Sequence, residues 1–179
     1  MDDLMGIIKK RRSVRAYQDK PLPKEVVEKI LEAARYAPSA RNAQPLEYKV
    51  ITNKTLIKKL SDGISEAMKK EGMSLKAPPS GRPNYFYNAP LLIIMTAPKE
   101  NSWAVSDGAI AVDHIILYAT SIGLGSCFIG IARLIMQSPE LAKQLNITAD
   151  KNIVAAVVCG FPDGWPEEKE KKMTAEYFE

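Results

Sequence analysis

Four polar side chains that suit an anionic ligand lie within five positions near the start of the chain. Arg11, Arg12 and Arg15 supply three guanidinium groups, and Ser13 supplies a hydroxyl group. A guanidinium presents a planar fork of N–H donors that matches the oxygens of a phosphate, and a hydroxyl adds a further donor. The spacing alone fits two interpretations equally. One is a phosphate site, and the other is the solvated basic end of a helix, where cations favour the negative pole of the helix dipole.

A second group of polar side chains follows in a loop without acidic residues. Ser39, Asn42 and Gln44 lie between Pro38 and Pro45. Hydroxyl and amide groups both donate and accept hydrogen bonds, which suits the edge of a polar ring or a sugar chain. The same residue types also form a helix stop and an Asx-type turn without any ligand. The loop by itself therefore leaves both interpretations open.

Two glycine-containing motifs complete the set of candidate positions. Residues 123–130 read Gly-Leu-Gly-Ser-Cys-Phe-Ile-Gly, and residues 160–162 read Gly-Phe-Pro. Glycines that follow a helix frequently serve only as its C-terminal cap. Lys169 and Lys171 come after the second motif, in a run of Glu and Lys that is typical of a solvated surface.

In their order and spacing these motifs resemble those of the FMN-dependent nitroreductase family, and the resemblance covers nearly the whole chain. The family pattern has R-x-S-x-R at the end of a helix and P-S-x-x-N-x-Q-P before a strand. It continues with G-L-G-S after a long helix and G-[YF]-P before basic residues. The corresponding segments here are residues 11–15, 38–45, 123–126 and 160–162. Each motif alone is weak, whereas four in the expected order are a strong signal.

The resemblance implies a flavin site built from these segments. Arg11 and Ser13 would hold phosphate or ribityl oxygens, and Arg15 would lie near the pyrimidine end of the ring, where reduced flavin carries negative charge. The loop around Asn42 would touch flavin largely across a dimer interface, and the Gly130 N–H would donate to flavin N5. The full set of implied cofactor-binding residues is Arg11, Arg12, Ser13, Arg15, Pro38, Ser39, Ala40, Asn42, Gln44, Ile129, Gly130, Lys169 and Lys171.

The resemblance also implies an activity, that of an FMN-dependent oxidoreductase with a ping-pong cycle. NADH or NADPH would transfer hydride to flavin N5, and a nitroaromatic, quinone or similar electron-poor small molecule would then be reduced. No side chain is expected to be catalytic because the flavin performs the chemistry. Two alternatives stay open. One is other flavin chemistry on the same fold, namely flavin fragmentation, dehalogenation or ferredoxin-linked reduction. The other is a non-catalytic protein that binds flavin or another phosphorylated ligand.

The elements that must position these residues follow from apolar periodicity and cap signals. Helices are predicted over 2–12, from Pro23 to about Ala37, from the Asn53 cap to Met68, over 102–122 with Gly123 and Gly125 closing it, and from Ser138-Pro139. Strands are predicted over 46–52, 91–96 and 153–158, the last two being uniformly apolar as buried central strands are. Residues 71–88 form a long excursion, for which we expect a mobile cover over the ligand site.

This pattern is α+β, a small sheet packed by helices in a single domain over residues 1–179. The resemblance implies that the central sheet is mostly antiparallel and that two chains form an intertwined homodimer. Residues 161–179 would be a C-terminal arm laid along the partner's sheet. Tyr177 and Phe178 suit such an arm, since they are aromatic residues beyond a charged run.

The bulk composition excludes several classes of protein. The chain has 179 residues, 46% of them hydrophobic and 26% charged, as in ordinary globular proteins. Its formal charge of +4 is too small to indicate nucleic acid without a concentrated patch. Its longest apolar run is far shorter than the ~18 residues of a membrane span, and the acidic start predicts no secretory signal. Two cysteines and one histidine favour neither a disulfide framework nor a metal site. We therefore expect a cytoplasmic protein without membrane or nucleic-acid partners.

Overall fold

A computed structural model of the chain describes residues 3–73 and 84–179. The helices in these ranges are α1 (Leu4–Lys10), α2 (Lys24–Arg35), α3 (Lys54–Lys70), α4 (Ala104–Ser121) and α5 (Pro139–Gln144). The strands are β1 (Glu47–Ile51), β2 (Leu91–Pro98), β3 (Gly125–Phe128) and β4 (Lys151–Gly160). Two 3₁₀ segments cover Ala40–Asn42 and Gly130–Gln137. All the predicted helices and strands are present, and β3 and the second 3₁₀ segment were not predicted.

The four strands form one sheet in the order β1-β2-β4-β3, and every neighbouring pair is antiparallel. The two uniformly apolar strands, β2 and β4, occupy the centre, as their sequences predict. Side chains alternate between the faces of a strand. Leu92 and Ile94 therefore pack toward α3 and α5, whereas Leu91 and Ile93 pack toward α2 and α4. Helices cover both faces of the sheet, which confirms the α+β prediction.

The helix ends follow the cap signals of the sequence in most cases. Asn53 caps α3 by accepting a hydrogen bond from the Leu56 N–H at 2.9 Å, and Ser138 caps α5. Asp3 caps α1 in the same way, accepting from the Gly6 N–H at 2.6 Å. Pro23 differs from its predicted position, because it lies at the N-cap of α2 and not in the first turn.

The end of α4 corrects one part of the prediction. Gly123 has a left-handed backbone with φ of 77°, and the Leu124 N–H returns to the Ala119 carbonyl at 2.8 Å. This is the geometry of a glycine cap. Gly125 is not part of that cap, since it begins β3. The prediction that both glycines close the helix is therefore wrong for Gly125.

The predicted cover over residues 71–88 and the predicted C-terminal arm both stay predictions. The cover predicted over 71–88 falls mainly on residues 74–83, which lie outside the described residues. Residues 163–179 contain no helix or strand, and the side chains of Tyr177 and Phe178 are 89% and 91% exposed. No helix of the described ranges is both long enough and apolar enough to cross a membrane. The homodimer and the placement of the arm stay predictions.

Candidate active site

The segment that carries the basic motif runs along the edge of the sheet. The Val14 N–H donates to the Ser126 carbonyl of β3 at 2.9 Å, and the Gln18 N–H donates to the Phe161 carbonyl at 2.9 Å. The Asp163 N–H closes the arrangement by donating to the Ala16 carbonyl at 2.9 Å. These bonds bring together three motifs that are far apart in the sequence, namely residues 11–15, 123–126 and 160–162.

Glycine is required where this segment crosses β3. Val14 is 1% exposed, and a Cβ atom on Gly125 would lie 2.8 Å from its Cβ and from both of its Cγ atoms. The buried Tyr17 hydroxyl donates to the Val14 carbonyl at 2.8 Å, which holds the segment from the other side. Burial raises the pKa of Tyr17, so the phenol stays protonated and remains a donor. The backbone of residues 13–15 is therefore fixed by packing as well as by hydrogen bonds.

Arg15 carries a positive charge that no acidic partner neutralises within the described residues. Its guanidinium carbon lies 6.0 Å from the centre of the Tyr87 ring, and its Nη1 donates to the Ser13 carbonyl at 3.4 Å. Burial lowers the pKa of Arg15, but the Cys127 thiol and a hydrogen bond to Tyr87 raise it by more. The side chain is thus held in place by neutral groups and keeps its charge for a ligand.

The basic motif runs beside Cys127 of β3, since Ser13 pairs with Ser126, the residue before it. Burial raises the pKa of the Cys127 thiol, although Arg15, Arg11 and a hydrogen bond with Ser13 act in the opposite direction. The thiol is therefore neutral, and it is a poor nucleophile. The adjacent Ser126 hydroxyl is buried and has no hydrogen-bond partner among residues 3–73 and 84–179. Because side chains alternate along a strand, Ser126 faces the opposite side of the sheet from Cys127, and the arrangement offers a ligand two cations and the Ser13 hydroxyl.

The side chain of Arg12 differs from those of Arg11 and Arg15 in that it binds other groups of the protein. Its side chain is 14% exposed and donates to the carbonyls of Lys9 and Arg11 at the end of α1. Its Nη2 lies 2.9 Å from a carboxylate oxygen of Glu168, in the chain that follows β4. The donors of Arg12 are thus engaged by the protein itself. Cofactor binding by Arg12 stays a prediction.

The two lysines predicted to bind phosphate lie close to this ion pair in the sequence. Lys169 directly follows Glu168, and Lys171 is two residues further on. Both side chains are exposed. In the parts of the chain that the structure describes, neither lysine forms an ion pair. The ion pair of Arg12 brings this part of the arm to the end of α1, which is the end that leads to Arg11.

The polar loop between Pro38 and Pro45 has a tightly constrained backbone. Arg41, Asn42 and Gln44 have left-handed φ angles of 56°, 53° and 48°. The Ser39 hydroxyl accepts from the Gln44 N–H at 2.9 Å, and the Gln44 side-chain amide donates to the Asn42 side-chain oxygen at 3.0 Å. Such conformations are unfavourable for residues other than glycine, and they persist only where surrounding contacts fix them. The sequence predicts a turn here, and the structure contains one.

A buried carboxylate that sequence reasoning missed attaches this loop to α4. Asp107 is 3% exposed, and its Oδ1 accepts from the Ala40 N–H at 2.9 Å. Its other oxygen has no partner within the described ranges. The only signal in the sequence is an acidic residue in an otherwise apolar stretch of helix.

The polar loop and the basic motif lie toward opposite ends of α4. The loop is bound to Asp107 in the first turn of the helix, and the basic motif pairs with β3, which follows the last turn. Asp107 and Ser121 are 14 positions apart (121 − 107), a length of roughly 21 Å along a helix axis. Within one chain the structure therefore does not bring Pro38, Ser39, Ala40, Asn42 and Gln44 to the basic motif.

The last candidate positions, Ile129 and Gly130, follow β3 directly. Ile129 is buried, and its N–H donates to the Ala156 carbonyl at 2.8 Å. Gly130 begins the second 3₁₀ segment and is exposed. A Cβ atom there would meet only the edge of the Phe128 ring, at 3.9 Å. The surface at Gly130 is therefore open to a bound molecule.

Comparison with known proteins identifies the family. A sequence profile described as the Nitroreductase family matches residues 8–161. The chain belongs to this family. It is 30% identical over 167 residues to a protein of Archaeoglobus fulgidus named "Putative NADH dehydrogenase/NAD(P)H nitroreductase", with 90% of this chain and 87% of that protein covered. In an alignment of 203 positions, gaps included, it is 29% identical to the chloronitrobenzene nitroreductase of Comamonas testosteroni, covering 91% of this chain and 87% of that one.

A solved nitroreductase confirms the fold. The crystal structure of a nitroreductase with bound FMN from Bacteroides fragilis matches with a TM-score of 0.82 and 28% sequence identity. The match covers 98% of this chain and 96% of that one. The predicted nitroreductase-like architecture is therefore correct over almost the whole chain.

The residues of this nitroreductase chain fit a flavin mononucleotide on several observations. Arg11 and Arg15 provide cations for an anionic ligand, and Ser13 between them provides a hydroxyl group. Ser13 and Arg15 line a groove of about 350 Å³, whose other wall is the start of the arm at residues 163–166. The exposed Gly130 leaves room for a ring on the surface after β3.

Proposed function

We propose that the chain is an FMN-dependent oxidoreductase that takes electrons from NADH or NADPH and reduces a nitroaromatic, a quinone or a similar electron-poor small molecule. The observation that carries the proposal is that the segment with Arg11, Ser13 and Arg15 is hydrogen-bonded along β3 at Ser126, close to the open position Gly130. Support comes from the FMN-bound Bacteroides fragilis structure and from the nitroreductase and NAD(P)H names of the relatives. When bound, FMN would supply the hydride and electron-transfer chemistry between the nicotinamide and the acceptor, and solvent would supply the protons.

The proposed roles of the residues are those that the family resemblance implies, and the charges of the side chains agree with them. Arg11 and Ser13 bind phosphate or ribityl oxygens, and Arg15 faces the pyrimidine end of the flavin, where a cation favours the reduced form. Ile129 and the Gly130 N–H would line the ring edge that carries N5. Lys169 and Lys171 add positive charge for the phosphate, and Arg12 supports them through its ion pair with Glu168.

We also propose that the site is completed by a second copy of the chain, with residues 1–179 as one domain and 161–179 as the exchanged arm. The loop around Asn42 and Gln44 lies too far from Arg15 within one chain to contact the same ligand. A second copy supplies that loop, and the exposed apolar side chains of α1, α4 and the arm offer a surface for it. These side chains are Leu4, Met5, Ile8, Val105, Ile110, Tyr177 and Phe178.

The test uses the purified full-length protein. We expect a yellow preparation, or one that becomes yellow with added FMN, and rapid bleaching of the flavin absorbance when NADH or NADPH is mixed in a stopped-flow instrument. Arg15→Ala should lower the reduction potential of the bound flavin, because a cation near the reduced ring is lost. A colourless protein that does not bind FMN would overturn the proposal. Bound flavin that neither nicotinamide reduces would favour another flavin reaction.

A further inference from the structure

Tyr87 is an aromatic neighbour of Arg15, although it belongs to none of the four motifs. The Tyr87 ring lies 6.0 Å from the Arg15 guanidinium carbon, and Tyr87 is among the groups that raise the pKa of Arg15. An aromatic face attracts a guanidinium without cancelling its charge. A carboxylate at this position would orient Arg15 equally well but would neutralise it toward any anionic ligand.

The backbone at Tyr87 is held in an unfavourable conformation. Tyr87 and Asn88 have left-handed φ angles of 55° and 56°. Asn84 fixes this turn, since its side-chain oxygen accepts from the Phe86 N–H at 3.0 Å and its carbonyl accepts from the Tyr87 N–H at 3.1 Å. The Asn84 side chain also bonds to that of Asn88, and Phe86 between them is fully buried. Strained backbone of this kind is concentrated at functional sites.

We propose that Tyr87 is a positioning residue that holds the Arg15 guanidinium toward the flavin while leaving its charge intact. This inference rests on the proposed function, because it needs Arg15 to face the ligand. The rigid turn fixes the ring, the ring holds the guanidinium, and the guanidinium favours the reduced flavin. Leucine in place of Tyr87 would keep an apolar side chain but let the Arg15 side chain rotate into solvent.

The test compares Tyr87→Leu with Tyr87→Phe in the full-length protein, with the reduction potential and the FMN dissociation constant as readouts. We expect Tyr87→Leu to lower the potential, as Arg15→Ala does, and to raise the dissociation constant about two- to fivefold, the value of an exposed cation–π contact. Tyr87→Phe keeps the ring and should show a smaller change. Tyr85→Leu is the matched control, because Tyr85 packs on the same core with no contact to Arg15 in the described part of the chain. Its potential should stay at the wild-type value.

A double-mutant cycle separates positioning from a general effect on folding. If Tyr87 acts through Arg15, Tyr87→Leu changes neither readout further in an Arg15→Ala background. Additive changes in the double mutant would overturn the role of Tyr87 and leave that of Arg15 standing. The same holds if Arg15→Ala lowers the reduction potential and Tyr87→Leu does not. An unchanged potential in Arg15→Ala would instead remove the proposed role of Arg15, and the inference with it. Should Tyr87→Leu fail to fold, Tyr87→Met carries the same comparison, because methionine also removes the aromatic ring.

Discussion

Replacing Gly125 by alanine should damage the flavin site through packing, at a residue that touches no ligand itself. The new Cβ atom would lie 2.8 Å from three side-chain atoms of Val14, including its Cβ. Because a Cβ atom cannot rotate away, the backbone must move. An ordinary carbon–carbon contact begins near 3.4 Å, so the required separation is roughly 0.6 Å. Val14 lies between Ser13 and Arg15, and both move with it.

The magnitude follows from the cost of overpacking a rigid core, about 1–3 kcal/mol. For a chain of 179 residues, each kcal/mol lowers the melting temperature by about 2–4 °C, which gives a decrease of about 2–12 °C. We expect the dissociation constant for FMN to rise as well, because the strained segment carries two of the proposed ligands. Thermal unfolding of the apoprotein and a fluorescence titration with FMN measure the two effects.

Two further variants make the Gly125→Ala experiment specific. Gly130→Ala is the control for apoprotein stability, since its Cβ would meet only a ring edge at 3.9 Å. Its melting temperature should stay close to wild type. Val14→Ala combined with Gly125→Ala should cost less than the sum of the single changes, since two of the clashing atoms are removed. A Gly125→Ala protein with wild-type melting temperature and FMN affinity would refute the reasoning.

Two other predictions concern buried groups. Asp107→Ala removes the acceptor for the Ala40 N–H and should cost about 1–3 kcal/mol through the donor left unpaired, whereas Asp107→Asn, which keeps an oxygen there, should cost less. Urea unfolding of both variants checks this, and equal losses would contradict it. Burial raises the pKa of Cys159 to about 12, so the folded protein keeps a proton that the unfolded chain releases above about pH 8.5. Stability is therefore unaffected below that pH and falls above it, by up to about 1.4 kcal/mol per pH unit until pH 12. The free energy of unfolding of Cys159→Ala should therefore fall less steeply than that of wild type above about pH 8.5, the thiol pKa in the unfolded chain. Parallel curves for the two proteins would exclude the thiol as the cause.

Local signals in the sequence account for the predicted elements, and contacts distant in sequence account for what was missed. Local signals such as the apolar runs of β2 and β4 and the cap at Asn53 involve only a few consecutive residues, so the sequence alone predicts them. Strand β3 was missed because its Gly-Ser-Cys-Phe sequence is short and begins with a glycine that follows a helix. Its pairing with β4 and with Ser13 supplies the stability that its own residues lack.

The candidate site also combines features that the sequence predicts with features that only the fold shows. The spacing of the motif does not set Arg12 apart from Arg11 and Arg15, whereas the fold does, because Glu168 engages Arg12 and Tyr87 lies against Arg15. Tyr87 is 72 positions from Arg15 (87 − 15), and no spacing rule connects them. The resemblance indicates that the loop around Asn42 works across a dimer, and the helix that separates it from Arg15 gives a physical reason.

The most direct measurement compares the affinities for FMN and for riboflavin, which lacks the phosphate, in wild type and Arg11→Ala. If Arg11 binds the phosphate, wild type prefers FMN, and Arg11→Ala loses about 10–100-fold of that preference, the value of a charge-assisted hydrogen bond of about 1.5–3 kcal/mol. Its affinity for riboflavin should hardly change. Arg35→Ala, which removes an exposed arginine at the end of α2, should retain the full preference. Equal affinities of the wild-type protein for FMN and riboflavin, or an undiminished preference in Arg11→Ala, would contradict the account.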